Sequence, residues 1–170
     1  MAITLNQPNT IYLSGHASDV EVGDLAAGVA ICPGMLIERY VPSGTIVRTR
    51  PHATASVATA RNFAVEQSEV NKNVNDVYAI NDLVRSRIVA PGGTVWAIIA
   101  SGQNIAAGQK LESNGDGTLK AYATLGAALV AAIESVNNTT GNAGPVNPPP
   151  QTGSTTALPA GAARIRVEVL

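Results

Sequence analysis

A chain of 170 residues with 45% apolar side chains is the size of one domain, or one domain with an appendage, and can build a core. Only 14% of its residues are charged, the net charge is −1 and the pI lies near 6.1, so nothing in the balance points to nucleic acid or to an anionic membrane as partner. The one cysteine, Cys32, closes no internal disulfide and has no metal-ligand spacing around it, which leaves packing and assembly to supply stability.

The first residues lack the basic stretch and apolar core of a leader, and no apolar run approaches the ~20 residues that span a bilayer. The chain is therefore expected to be made in a cytoplasm and to stay there, or in a particle assembled there. Residues 1–19 mix Asn, Pro, Ser and Gly around one apolar island, Thr10, Ile11, Tyr12 and Leu13. An island that small buries little alone; it suits a loose arm, a strand added to another sheet, or the first strand of a barrel. The arm is favoured, which divides the chain into an arm over 1–19 and one β domain over 20–170. Asp19, Glu21 and Asp24 crowd three carboxylates into a turn-rich stretch, but the glycine-turned loop with a distant bidentate Glu that binds calcium is missing. Charges on a solvated strand edge account for them, and no metal or cofactor is expected.

An internal echo comes next. Gly28, Ile31, Gly34 and Glu38, followed by Gly44, recur at matching spacing as Gly102, Ile105, Gly108 and Glu112, followed by Gly117. Each copy turns, drops one apolar residue inward, turns again and leaves as a strand, which predicts two similar β-hooks facing one another in one small barrel. Residues 48–60, small and polar with Pro51, suit an edge strand or exposed loop. His16 and His52 adjoin no Ser or Cys nucleophile in a recognisable motif and are expected on solvated loops. A strand is predicted over 62–69, and an Asn-rich turn with room for a single helical turn over 70–77. Tyr78 is expected to bury its ring with its hydroxyl on a polar partner, and Trp96 to anchor the core.

Residues 83–88 alternate, Pro91, Gly92 and Gly93 break the run, and 94–100 resume with β-branched and aromatic residues, the pattern of a hairpin. Gly102 and Gly108 bracket a short segment, and Asn114, Gly115, Asp116 and Gly117 supply a tight reversal. Residues 125–136 fit a helical stripe and a buried strand equally well. Residues 137–163, with Pro148, Pro149 and Pro150, form a Pro/Gly-rich excursion that packs no core of its own and reads as an exposed loop suited to partner contact. The last residues alternate cleanly, with Ile165, Val167 and Val169 on one face.

In that order, Leu83-Val84-Arg85, the Gly102/Gly108 hook, the run from Leu111 to Leu119, the run from Ala131 to Val136 and the run from Arg164 to Val169 resemble the capsid decoration (cement) proteins of tailed bacteriophages. The resemblance implies an all-β fold, a small β-tulip- or β-clip-like barrel with little helix, and tips 128–136 towards strand. It implies a homotrimer on the outside of the phage head at three-fold and quasi-three-fold sites, bound to the major capsid protein, with no small-molecule substrate and no chemistry. Residues 1–13 are expected to pair as an added strand with the capsid lattice or with a neighbouring trimer, with Thr10, Ile11, Tyr12 and Leu13 as the expected capsid contact. Other readings are a biotin- or lipoate-carrying hammerhead domain modified at Lys110, an enzyme, and another virion part such as a head-fibre base or tail component.

Overall fold

Short β-branched runs separated by glycine turns favour strands along most of the chain. The structure, a computed structural model, describes residues 9–44, 46–123, 126–139 and 158–170. In chain order its strands are β1 (Tyr12–Ser14), β2 (Val20–Ala26), β3 (Ile37–Tyr40), β4 (Arg48–Pro51), β5 (Asn62–Ala64), β6 (Leu83–Ile88), β7 (Thr94–Ile99), β8 (Asn104–Ile105), β9 (Lys110–Ser113), β10 (Leu119–Ala121), β11 (Val130–Ala132), β12 (Val136–Asn137) and β13 (Ala163–Val169). The helical element among the described residues is a 3-10 turn, Ser68–Val70. Among the described residues the chain is all-β, the fold that the resemblance implied.

Five strands close a barrel in the order β7, β10, β9, β11, β13 and back to β7. All contacts are antiparallel except β7 with β10. Closure removes the open edges that a five-stranded sheet would otherwise present. Val95, Ala97 and Ile99 of β7 meet Ile165, Val167 and Val169 of β13, with Leu111, Leu119, Val130 and Ala132 completing the interior. The opposite face of β7 is buried too. Ile98 packs against Ile31, Tyr78 and Val84, and Trp96 against Ile11, Val65 and Val74. Burial on both faces explains why this strand is an unbroken apolar run. Trp96 thus anchors a satellite cluster outside the barrel interior. Tyr78 is fully buried and donates its hydroxyl to Val65 O at 2.6 Å, and burial pushes its pKa up to about 12.

The hairpin expected over 83–100 does not form. β6 pairs with β2 and β5 in a separate three-stranded sheet, and β7 enters the barrel. Alternation reports which faces are buried, not which strand lies alongside, and the turn in which Gly93 N–H reaches Ala90 O redirects the chain without folding it back on β6. The strand expected over 62–69 is shorter, Asn62–Ala64, and the helical turn falls at Ser68–Val70. Within the described part of 125–136, β11 and the start of β12 settle the ambiguity as strand.

The echo is real in three dimensions, with one correction. Gly34 and Gly108 both take left-handed backbone, Ile31 and Ile105 are both buried, and each copy runs on into a hairpin, β3–β4 or β9–β10. Only the second hook belongs to the barrel wall; β3 and β4 form their own two-stranded sheet. The two are tied by Leu36 N–H to Gly117 O and Gly117 N–H to His52 O.

Residues 1–8 and most of the Pro/Gly-rich excursion, 140–157, lie outside the described residues. Its neck is described. Asn138, buried, donates its amide to Ala100 O and Gly161 O at 2.9 and 3.0 Å and accepts Gln103 N–H at 2.6 Å, joining the two sides at the barrel rim.

Candidate functional site

The segment expected to meet a partner, Thr10 to Leu13, lies on its own chain. Beyond the strand pairing of β1, it is held by groups distant in sequence. Ile11 is fully buried among Val65, Val74 and Trp96; its carbonyl accepts Trp96 N–H at 2.8 Å and its N–H reaches Glu66 Oε2 at 2.9 Å. Thr10 donates its hydroxyl to the other oxygen of Glu66. One carboxylate therefore closes an edge that a further strand would otherwise pair. Tyr12 sits opposite Val95 and Ser14 opposite Thr94, the two hydroxyl oxygens of Ser14 and Thr94 being 2.6 Å apart. The burial of Ile11 corrects the expectation of a loose arm from residue 9 onward: an Ile between two polar-flanked positions fills a pocket that sequence alone does not display.

Beside this seat is a depression of about 200 Å³ lined in part by Thr10, Tyr12, Glu21, Glu66, Arg85 and Arg87. The Arg87 guanidinium lies 4.0 Å from the centroid of the Tyr12 ring, close enough for a cation–π contact, and pairs with Glu21 at 2.8 Å. Arg85 pairs with Glu21 at 2.5 Å and with Glu69. Arg87 first, then Arg85, hold the Glu21 carboxyl below its usual range. Burial pushes Asp19 up, but hydrogen bonds from the Tyr12 hydroxyl (2.5 Å), Ala90 N–H (2.7 Å) and His16 N–H (3.1 Å) outweigh it and leave that carboxyl low; the Tyr12 phenol is correspondingly raised, chiefly by its bond to Asp19. Asp19 and Glu21 are thus committed to separate tasks. Among the described residues no group of three or more His, Cys, Asp or Glu is placed to hold a metal ion.

Sequence reasoning missed a second cluster. His52 is buried, not on a solvated loop: Nδ1 is 2.7 Å from Ser113 Oγ and Nε2 is 3.6 Å from Glu38 Oε2, with Arg50 on the far oxygen of Glu38 at 2.8 Å. A serine, a histidine and a carboxylate in line have the makings of a nucleophile relay. Here Ser113 is fully buried and its Oγ also accepts Gly115 N–H at 3.2 Å, so no substrate carbonyl can approach it. The cluster fastens the two echoed hairpins. A parallel pair fastens the second hook internally: Glu112, fully buried, lies 3.5 Å from Lys120 and accepts the Ser56 hydroxyl at 2.6 Å. The echo held the signal, since Arg50 and Lys120 fall directly across from Glu38 and Glu112 in the two hairpins.

His16 is exposed, and so is Lys110, which opens β9 in the barrel wall. Cys32 is buried, and burial pushes its thiol up, away from reactivity. Among the described residues no helix is long and apolar enough to cross a membrane. No protein-family model matches the chain, and a search of curated proteins returns no match.

Proposed function

We propose that this chain is a structural virion protein: a capsid decoration, or cement, protein that binds as a homotrimer to the outside of a tailed-phage head at three-fold and quasi-three-fold sites. The observation that carries the reading is the ordered set of segments resembling that family, three of which include neighbouring barrel strands: 111–119 takes in β9 and β10, 131–136 starts in β11 and 164–169 lies in β13. The major capsid protein is the partner, and the role is adhesion.

The physics of the role is repetition. A shell around packed DNA is pushed outward and is weakest where capsomers meet. A trimer across such a junction contacts several subunits at once, so one contact can open while the others hold. At ~25 cal/mol per Å², an interface of ~800 Å² per partner grosses on the order of 20 kcal/mol per side before ordering and desolvation, and only a fraction remains as affinity. Many modest contacts then outlast a few strong ones.

Light scattering on the purified chain is expected to give three copies per particle at micromolar concentration, and mass spectrometry of separated heads and tails is expected to find the chain in heads. A monomer would contradict the trimer. Recovery in tails would contradict the head assignment and favour a tail or fibre component.

A further inference from the structure

The seat that holds β1 has a geometry a second chain could use. We propose that the slot formed by the start of β7, Glu66 and the Ile11 pocket is a strand-acceptor site, filled on the assembled particle by residues 10–14 of a neighbouring copy of this chain.

The chemistry of the occupant is already in view, because the chain's own strand occupies the slot. It offers a backbone N–H to receive a strand carbonyl (Trp96 N–H to Ile11 O, 2.8 Å), a carboxylate to receive a strand N–H and a neighbouring hydroxyl (Glu66), and a closed apolar pocket for one β-branched side chain (Val65, Val74, Trp96). Thr94 adds a hydroxyl contact at 2.6 Å to Ser14. All of these partners are remote in sequence from the strand they hold, Glu66 being 55 positions from Ile11 and Thr94 80 positions from Ser14, so none depends on the covalent link between β1 and β2. A strand with the same residues arriving from another copy makes the same contacts.

What differs between the two arrangements is the link. Residues 14–18 are exposed throughout and carry no strand pairing beyond Ser14. They double back in a turn closed by Asp19 N–H to His16 O at 3.0 Å, where a Cβ added at Gly15 would lie 1.8 Å from Asp19 Oδ2 and 2.0 Å from Tyr12 Oη and so displace the bond between those two side chains. Opening that turn frees a three-residue strand while leaving the barrel closed, a local event in a fold whose main core lies elsewhere. With the seat contacts identical in both states, the turn's own hydrogen bonds, Asp19 N–H to His16 O and His16 N–H to Asp19 Oδ2, and effective concentration decide the balance. An isolated copy favours its own strand. Neighbours held side by side present each other's strands at concentrations in the millimolar range, and exchange then links copies without any new interface.

The proposal rests on the decoration reading only for the supply of held neighbours, and its test is separable. Two variants are made in a Cys32→Ala background, one carrying Ser14→Cys and one carrying Thr94→Cys, with affinity tags of different mass. They are co-expressed, oxidised and run on a non-reducing gel, both as free protein and bound to empty phage heads. The chain with both substitutions is the control and should close its internal disulfide, since the two native oxygens already touch. Strand exchange predicts a mixed covalent dimer joining the two tags, enriched about tenfold over either same-tag dimer and rising on the particle. Mixed dimers no more frequent than same-tag ones, with the control closed, overturn the proposal. If exchange is absent while the wild-type chain still trimerises and binds heads, the decoration reading stands alone; if mixed dimers form in a chain that binds no head, exchange stands and decoration fails.

Discussion

His52 occupies the point where the two hooks meet, with its ring on Ser113 and its far nitrogen towards Glu38. Burial pushes its pKa down, the Glu38 carboxylate offsets part of that, and Arg50 adds to the lowering. A histidine whose folded pKa lies below its unfolded value, ~6.5, contributes its full stability above that pH and loses it as the pH falls from there through the folded pKa. The thermal midpoint of the wild type should therefore drop more steeply below pH ~6.5 than that of His52→Gln, which keeps a hydrogen-bonding group at the site. The difference in slope is bounded by about 1.4 kcal/mol per pH unit for one proton. Parallel pH profiles would show that the ring is not buried neutral. Gly117 is the second residue on which the junction turns. It sits at φ +83° with an added Cβ 2.7 Å from Pro51 Cβ, so Gly117→Ala meets both backbone strain and overpacking. A loss of about 2–4 kcal/mol in chemical denaturation is expected; a loss under ~0.5 kcal/mol would mean the two hairpins are not locked together there.

At the scale of elements, the neck of the Pro/Gly-rich excursion is a structural requirement. Asn138 bonds through its side chain to Gln103 N–H, Ala100 O and Gly161 O, and Asn138→Ala should cost about 2–3 kcal/mol. Replacing residues 141–156 with a short Gly-Ser linker should move the thermal midpoint by only a few degrees, because loop length enters closure entropy logarithmically. The reverse ranking, measured by scanning calorimetry, would assign the excursion a part in the core. Much of this level was legible from the chain. Residues 164–169 alternate and do lie in β13; 94–99 do form a strand, though one buried on both faces where a half-buried one was expected; Gly115 and Gly117 do turn the β9–β10 hairpin.

Partnerships were not legible. β6 and β7 read as a hairpin because alternation and a Pro-Gly-Gly break carry no information about which edge a strand joins. Burial on outer faces was hidden as well. Arg164 falls on the polar side of β13 by alternation, yet Pro33, Val74 and Asn75 cover that side and accept its guanidinium, which burial lowers to about 10 and leaves charged at neutral pH. His52 was misplaced for the same reason, since its small polar neighbours in sequence say nothing of Ser113, 61 positions away. For the candidate site, Thr10, Ile11, Tyr12 and Leu13 stood out as an island, but the pocket that takes Ile11 is assembled from three distant segments and is invisible until they meet.

Among the described residues, a closed barrel carries the β3–β4 hook buckled to its β9–β10 hairpin and the short strand β1 paired with β7. Buried groups that could have formed a reactive centre, Ser113 and His52 among them, are tied to one another instead. The measurement that tests the adhesive role most directly is co-sedimentation of the purified chain with empty heads, expanded and unexpanded, at known capsid concentration. Saturable uptake in multiples of three, selective for expanded shells, is the predicted result; a chain that stays in the supernatant with both kinds of shell would contradict it.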